Sequence, residues 1–347
     1  MRWIGCFARG KGLEANTGSV IAGQASGKQL WNDEYRRSCE MSIPGYFMRV
    51  AEVDLSKGKV GFIPIEESEC RRFIGGSGLG AKLLFERTGL KTDALGPENV
   101  LIFMAGPLTG TKAFASDRFE VITKSPLTGI YAESDCGGRW AEAMKRCGID
   151  GVLIGGQAKQ PVHLVMDDEG IRIEDGDWLW GKDTYEVDEL VKGKLGQKAA
   201  SVCIGIAGEN QVKVASIMTD GRHGRAAGRA GIGAVMGSKR LKAITAMGTK
   251  KVPVAREEEL SSFVKEWTPK IRESAKDLAD YGTSCGIEYM EEVGDFPVKN
   301  WLLGNFEKVS EVTGQHMAAT ILKNRYHCGR CVLGCGRTVE VLSLIHI

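Results

Sequence analysis

Between Asp220 and Lys239 the chain reads Asp-Gly-Arg-His-Gly-Arg-Ala-Ala-Gly-Arg-Ala-Gly-Ile-Gly-Ala-Val-Met-Gly-Ser-Lys, with Arg222, Arg225 and Arg229 set among six glycines. Glycine at that density lets several backbone N–H groups approach one ligand closely, and guanidinium forks can reach the same ligand from the side. The pattern suits a phosphate-bearing ligand, because bidentate arginine pairs and a backbone nest both stabilise concentrated negative charge. The plain alternative is a glycine-rich turn with solvated arginines. Gly231-Ile-Gly233 followed by Gly237 also approaches the dinucleotide fingerprint. There, however, the third glycine is misplaced and no acidic residue follows a second strand at the required distance.

The 46 basic and 44 acidic residues leave a net charge of +2, which excludes a general electrostatic binder of nucleic acid or membrane surface. A length of 347 residues with 43% hydrophobic positions gives room for two globular domains. No transmembrane span or secretory leader is legible, so a cytoplasmic location is expected. Three of the ten cysteines crowd near the C-terminus, a pattern of metal ligation in a reducing compartment more than of disulfides. Residues 1–40 lack periodicity and are expected to be a disordered or spurious extension, with Met41 as the expected true start; Cys6 and Cys39 then have no functional role.

From residue 46 short strands alternate with turns. Phe47–Leu55 and Lys59–Pro64 predict a hairpin about Gly58, and Glu66–Phe73 predicts a helix. Gly75-Gly-Ser-Gly-Leu-Gly80 then predicts a break before a helix over 81–88. Its lysine is followed by Leu83 rather than Ser or Thr, so it is not a P-loop. Asn99–Ala105 and Arg118–Thr123 predict strands, with Arg118 projected from a strand mouth. Asp135 is placed as an N-cap before a helix over 139–146, where backbone donors favour an anion. Further strands are expected over 151–155, 161–167, 171–174, 201–206 and 213–218, and a helix over 184–195 capped by Thr184. A weak echo relates 99–146 to 201–243 and suggests a duplicated unit about one ligand.

After residue 252 the pattern becomes helical, with Glu257–Leu278 broken at Pro269 and shorter helices over 287–293 and 315–323. The divisions are therefore 1–40, 41–252, 253–341 and a tail, 342–347. Cys328, Cys331 and Cys335 form C-x2-C-x3-C, in which three thiolates can converge on one metal centre, beside Arg330 and Arg337 that would favour deprotonation. Iron–sulfur is the favoured reading. Zinc is the competitor, with His316 or His327 as fourth ligand.

Several ordered stretches together resemble the tungsten-containing aldehyde ferredoxin oxidoreductases from about Tyr46 to Val341. They are Ala105-Gly-Pro-Leu-Thr-Gly-Thr111, Thr123-Lys-Ser-Pro-Leu-Thr-Gly129, Ile206-Ala-Gly-Glu-Asn210, Arg225-Ala-Ala-Gly-Arg229, Gly231-Ile-Gly-Ala-Val-Met-Gly-Ser-Lys239, Pro297-Val-Lys-Asn300 and the cysteine turn. The resemblance implies an α+β fold: a duplicated, sheet-rich N-terminal domain binding a tungsten bis-pterin, then the start of an all-α domain holding a [4Fe–4S] cluster. It implies oxidation of aldehydes to carboxylic acids with ferredoxin as acceptor, with molybdenum as the alternative metal.

By resemblance, Arg118 lies between pterin and cluster, Arg225 binds the pterin phosphates, and the carbonyl of Ala226 faces a bridging Mg2+. Gly137, Gly228 and Arg229 line the same cradle, and Cys328, Cys331 and Cys335 match three of four cluster ligands. Two departures stand out. Asp135-Cys136 replaces Asn-Ser before the glycine pair, which sets a carboxylate near the magnesium, and Arg222-His-Gly224 lengthens a turn. Relatives include a dearomatising acyl-CoA reductase subunit, so a hetero-subunit electron-transfer partner or a homo-oligomer is also expected. Family members continue beyond the cysteine turn. The fourth ligand and the catalytic residues are expected there, so the chain is expected to be an inactive fragment, and residues 342–347 resemble a sequencing adapter more than the family.

Overall fold

The computed structural model describes residues 43–341. The expectations for residues 1–40, for Met41 and for 342–347 lie outside the described residues.

Two six-stranded sheets dominate residues 49–246. The first contains β1 (Arg49–Asp54), β2 (Lys59–Pro64), β3 (Leu101–Ala105), β4 (Phe119–Lys124), β5 (Tyr131–Cys136) and β6 (Gly151–Gly155), in the order β2-β1-β6-β3-β4-β5. The second contains β7 (Val162–Asp167), β8 (Gly170–Asp175), β9 (Ala200–Cys203), β10 (Ile217–Thr219), β11 (Arg225–Ala227) and β12 (Leu241–Ala246), in the order β8-β7-β12-β9-β10-β11. The sense of pairing matches as well. β1 and β6 are parallel, as are β7 and β12, and every other pair in both sheets is antiparallel. The duplication is therefore real and wider than the echo over 99–146 and 201–243, since each unit opens with its own hairpin.

Among the described residues there are ten α-helices: α1 (Glu67–Phe73), α2 (Gly76–Arg87), α3 (Trp140–Lys145), α4 (Thr184–Leu195), α5 (Ile206–Glu209), α6 (Ile232–Ser238), α7 (Glu257–Ser274), α8 (Lys276–Tyr281), α9 (Ile287–Glu292) and α10 (Gly314–Thr320). The central strands are apolar at consecutive positions because both faces are covered. On β3, Leu101, Phe103 and Ala105 face a core shared by the two sheets, whereas Ile102 and Met104 face Leu79, Leu83 and Leu84 of α2. On the far side of the second sheet, Val187 and Val191 of α4 cover Cys203 and Ala243.

The two units exchange helices. α3 follows the first sheet's edge strand yet packs on β9 and β12 of the second, and α6 packs on β3 and β4 of the first. Trp140 fixes this exchange. It is fully buried, lies edge-on to Phe103 and Phe119 with centroids 5.3 and 4.8 Å away, and donates its indole N–H to the carbonyl of Ile244 at 2.9 Å. Edge strands β5 and β11 consequently lie side by side where the sheets meet.

Local readings differ in instructive ways. The break between the two helices is confined to Ile74 and Gly75, and the rest of the glycine run, 76–80, lies inside α2. Gly80 packs against Ile122 so closely that a methyl there would sit 2.5 Å from its side chain, so close packing outweighs the propensity cost. The cap of α4 is Asp183, not Thr184; its carboxylate accepts from the N–H groups of Tyr185 and Glu186, and Glu186 completes a capping box. Pro269 does not break α7, which runs to Ser274 before the chain turns at Ala275. The helix is exposed on most sides, so water can satisfy the carbonyl that proline leaves free. The expected helix 315–323 ends at Thr320, and the following residues enter a hairpin of β13 (Leu322–Tyr326) and β14 (Gly336–Val339). The region after residue 252 is therefore not all-α: the cysteine turn sits at the tip of a β-ribbon.

Asp135 is not the N-cap of α3. It lies within β5, pairs in register with Glu120, and the residue flanking α3 is Arg139. The N–H of Arg139 is met instead by the carboxylate of Asp220 at 3.2 Å.

Candidate cofactor and cluster site

The duplicated units present matching loops at the line where β5 and β11 meet. Phe119 pairs with Cys136 at the end of β5, and Ile217 pairs with Ala227 at the end of β11. Asp135-Cys136-Gly137 and Ala226-Ala227-Gly228 thus occupy equivalent positions, each leading through glycine toward an exchanged helix. The second loop is tied to the first sheet. The N–H of Arg229 donates to Ser134 Oγ at 3.1 Å, and Ser125 Oγ donates to the carbonyl of Ala230 at 2.8 Å. Ala226, Gly228 and Arg229 are exposed, and Gly228 and Arg229 border an open groove of 670 Å³ with Tyr131 and Glu133.

Arg225 carries the electrostatic signature of the cradle. Its Nε and Nη2 are buried without a hydrogen-bond partner, and its guanidinium lies 4.6 Å from the centre of the Tyr326 ring. Buried donors left open in this way fit an anionic ligand such as a pterin phosphate, since an unpaired donor costs about 1–3 kcal/mol. His223, also over Tyr326 with centroids 4.5 Å apart, encloses the same corner.

Arg118 stands on the first unit's side. Its Nε donates to Asp135 Oδ1 at 2.9 Å and its Nη2 contacts Asp135 Oδ2, a fork-to-fork ion pair. Both oxygens of the Asp135 carboxylate are engaged by the Arg118 guanidinium. A methyl group on Gly137 would meet Cys328 Sγ at 2.8 Å and Arg118 Nη1 at 3.4 Å, so the thiol and the remaining guanidinium nitrogen flank one glycine. Only glycine leaves room for both.

The cysteine turn is docked on these loops by backbone hydrogen bonds and by Arg330. The N–H of Gly329 donates to the carbonyl of Gly138 at 3.0 Å, and the N–H of Ala115 donates to the carbonyl of Arg330 at 3.1 Å. Arg330 reaches Glu142 at 3.0 Å and the buried Asp117 at 3.9 Å. Arg337 donates to the carbonyls of Gly334, Gly336 and Ala279. Both arginines hold backbone or carboxylates in place, and Arg337 also lies within electrostatic reach of Cys335. Burial pushes the Asp117 carboxyl up to about 6, and the Glu120 carboxyl up to about 7 with Glu133 adding to the shift.

Cys328, Cys331 and Cys335 are each half-buried on this turn. Three thiols carried by one turn are the soft donors that iron–sulfur and zinc sites both use. His327 turns its Nδ1 to the carbonyl of Cys331 at 3.1 Å and packs over Gly334, and His316 lies in the first turn of α10. Cys136, behind Gly137, is buried, and burial together with Asp220 pushes its thiol up to about 12, so it remains protonated.

The sequence model of the aldehyde ferredoxin oxidoreductase N-terminal domain matches residues 50–248, and that of the family's domains 2 and 3 matches residues 262–344. The chain belongs to the aldehyde ferredoxin oxidoreductase family. It is 39% identical over 304 residues to the tungsten-containing aldehyde ferredoxin oxidoreductase of Thermococcus kodakarensis, covering 86% of this chain and 50% of that protein. It is 33% identical to the WOR-like subunit of an aliphatic sulfonate oxidoreductase of Pyrococcus furiosus, over 74% of this chain and 43% of that one. Among solved structures it is similar to the active-site complex BamBC of benzoyl-coenzyme A reductase, with a TM-score of 0.74 and 31% identity over 86% of this chain and 48% of that chain. The chain spans about half the length of the curated relatives it matches. Among the described residues no helix of the family member is long and apolar enough to cross a membrane.

Proposed function

We propose that the complete protein is a tungsten-pterin oxidoreductase that converts aldehydes to carboxylic acids and passes the electrons through a [4Fe–4S] cluster to ferredoxin. The observation that carries this reading is Gly137, where one added methyl would meet both Cys328 of the cysteine turn and Arg118. A phosphate-bearing cofactor and a thiolate-bound cluster would therefore be neighbours. When bound, the bis-pterin metal, tungsten or its molybdenum alternative, supplies the two-electron exchange at the carbonyl carbon.

The chain's own residues supply binding and alignment. Arg225 and Arg229 offer donors to the pterin phosphates. The equivalent loops at Asp135–Gly137 and Ala226–Gly228 bring two backbone segments to one ligand, with the Ala226 carbonyl suited to a hard cation such as Mg2+ between phosphates. Arg118, whose Nη1 lies beside Gly137 next to Cys328, would be the residue between this ligand and the cluster. The fourth cysteine and the groups that face substrate are assigned to the part of the relatives' length that this chain does not cover. Cytoplasmic location and ferredoxin as partner follow the same reading.

The similarity to BamBC supports a second reading, in which the protein is the active-site subunit of a hetero-subunit tungstoenzyme acting on an aromatic acyl-CoA. The test is anaerobic reduction of a viologen dye by the complete protein. Reduction that depends on added aldehyde supports the first reading. A viologen reaction that depends on a dienoyl-CoA and ignores aldehydes overturns it in favour of the second.

A further inference from the structure

The Arg118–Asp135 pair is built like a fixture yet stands where a fixture contributes little to folding. Both side chains are about half exposed, at 49% and 44%, and ion pairs at that exposure contribute little to stability. The geometry is nonetheless highly specified. Two nitrogens of the guanidinium meet two oxygens of one carboxylate, and the carboxylate is carried by β5, whose neighbours Ser134 and Cys136 are buried in the sheet. Asp135 makes no capping bond to α3, because Asp220 serves the N–H of Arg139. Arg118 uses Nε and Nη2 on Asp135, which leaves Nη1 on the side of Gly137 and Cys328.

We propose that Asp135 is a positioning and charge-compensating residue for Arg118, and that the pair sets the electrostatic potential at the cluster bound through Cys328. This rests on the reading of Cys328 as a cluster ligand. A guanidinium beside the cluster favours the form with one more electron, because the added negative charge is attracted to it, whereas a carboxylate disfavours that form. Net charge and hydrogen bonding around the sulfurs are the protein's means of tuning such a centre. With both groups present the charges cancel, and Arg118 keeps one donor edge toward the sulfur. Deleting either charge shifts the one-electron couple, and the two deletions shift it in opposite directions.

The test uses the complete protein purified anaerobically, with iron and tungsten per chain measured first and the cluster's midpoint potential then read by electron paramagnetic resonance during redox titration. Asp135→Asn is expected to move the potential positive and Arg118→Gln to move it negative. The double variant is expected to return close to the wild-type value, and Asp135→Glu, which keeps the charge, to stay there. An unmoved potential in Asp135→Asn, or a shift of the same sign in both single variants, overturns the proposal. So does loss of the cluster in Asp135→Asn while Arg118→Gln retains it, since that outcome marks Asp135 as structural. A wild-type protein without iron overturns the cluster assignment and this proposal together; iron present with an unmoved potential overturns this proposal alone.

Discussion

Arg225 and Tyr326 stand face to face, the guanidinium carbon 4.6 Å from the centre of the phenol ring, although one belongs to the duplicated sheet domain and the other to the ribbon that carries the cysteines. The contact joins the anion cradle to the cysteine turn and leaves two buried nitrogens of Arg225 open. Arg225→Ala in the complete protein is expected to lower tungsten per chain while iron persists, because phosphate charge in a desolvated site loses about 2–5 kcal/mol with its partner. Metal analysis decides it. Loss of iron with normal tungsten would reverse the assignment of Arg225.

Gly137 and Gly228 occupy equivalent positions but differ in surroundings. A methyl on Gly137 would meet Cys328 Sγ at 2.8 Å, whereas the nearest atom to a methyl on Gly228 is 3.8 Å away. Gly137→Ala is expected to displace the cysteine turn and lower iron content with the sheets intact, as judged by circular dichroism. Gly228→Ala is expected to keep iron and to lower tungsten alone. Equal iron content in both variants would show that the two loops are not specialised.

Trp140 holds the exchanged helix in place through its ring contacts and its hydrogen bond to Ile244. Trp140→Ala is expected to cost about 3–5 kcal/mol. Trp140→Phe retains most of the packing but leaves the Ile244 carbonyl without its donor, for about 1–3 kcal/mol. Urea unfolding measures both. A Phe variant as unstable as the Ala variant would remove the hydrogen bond from the account.

Stability should also depend on pH through Glu120, whose Oε2 is buried without a partner and whose carboxyl is raised to about 7. The folded-state value lies above the unfolded one, so the folded chain binds the extra proton between them. Stability from this group is therefore present at low pH and is lost as pH rises from about 4.5 toward 7. Asp117, raised to about 6, acts in the same direction. Glu120→Gln should flatten the upper part of this slope. Urea unfolding at pH 5 and pH 8 checks it, and an unchanged slope in the variant would rule Glu120 out as the source.

Much of this architecture is legible in the sequence where the cause is local. The hairpin at Gly58, the strand at Gly151–Gly155 and the bounds of α4 follow from alternation, turn glycine and periodicity. β5 and β11 are not legible. Tyr131-Ala-Glu-Ser-Asp-Cys136 alternates polar and small residues, and its strand exists because β4 pairs with it and Ser134 is used by the other unit. The same limit hid the roles of Asp117, Glu142 and Tyr326, whose partners are distant in sequence, 188 residues away in the case of Glu142 and Arg330, and which have no local signal. The arginine–glycine stretch and the cysteine spacing were visible because each concentrates its chemistry within one turn. That Asp135 faces Arg118 instead of capping a helix follows from strand register, which a misplaced helix start concealed.

The central expectation is that one chain binds an iron–sulfur cluster through Cys328, Cys331 and Cys335 beside a phosphate-bearing tungsten cofactor. The most direct measurement is iron, tungsten, molybdenum and zinc per chain in the anaerobically purified complete protein, with the electron paramagnetic resonance spectrum of its reduced form. The account predicts four iron per chain, one tungsten or molybdenum, a reduced [4Fe–4S] signal, and loss of that signal in Cys328→Ala. A colourless protein with stoichiometric zinc and no tungsten or molybdenum would contradict it.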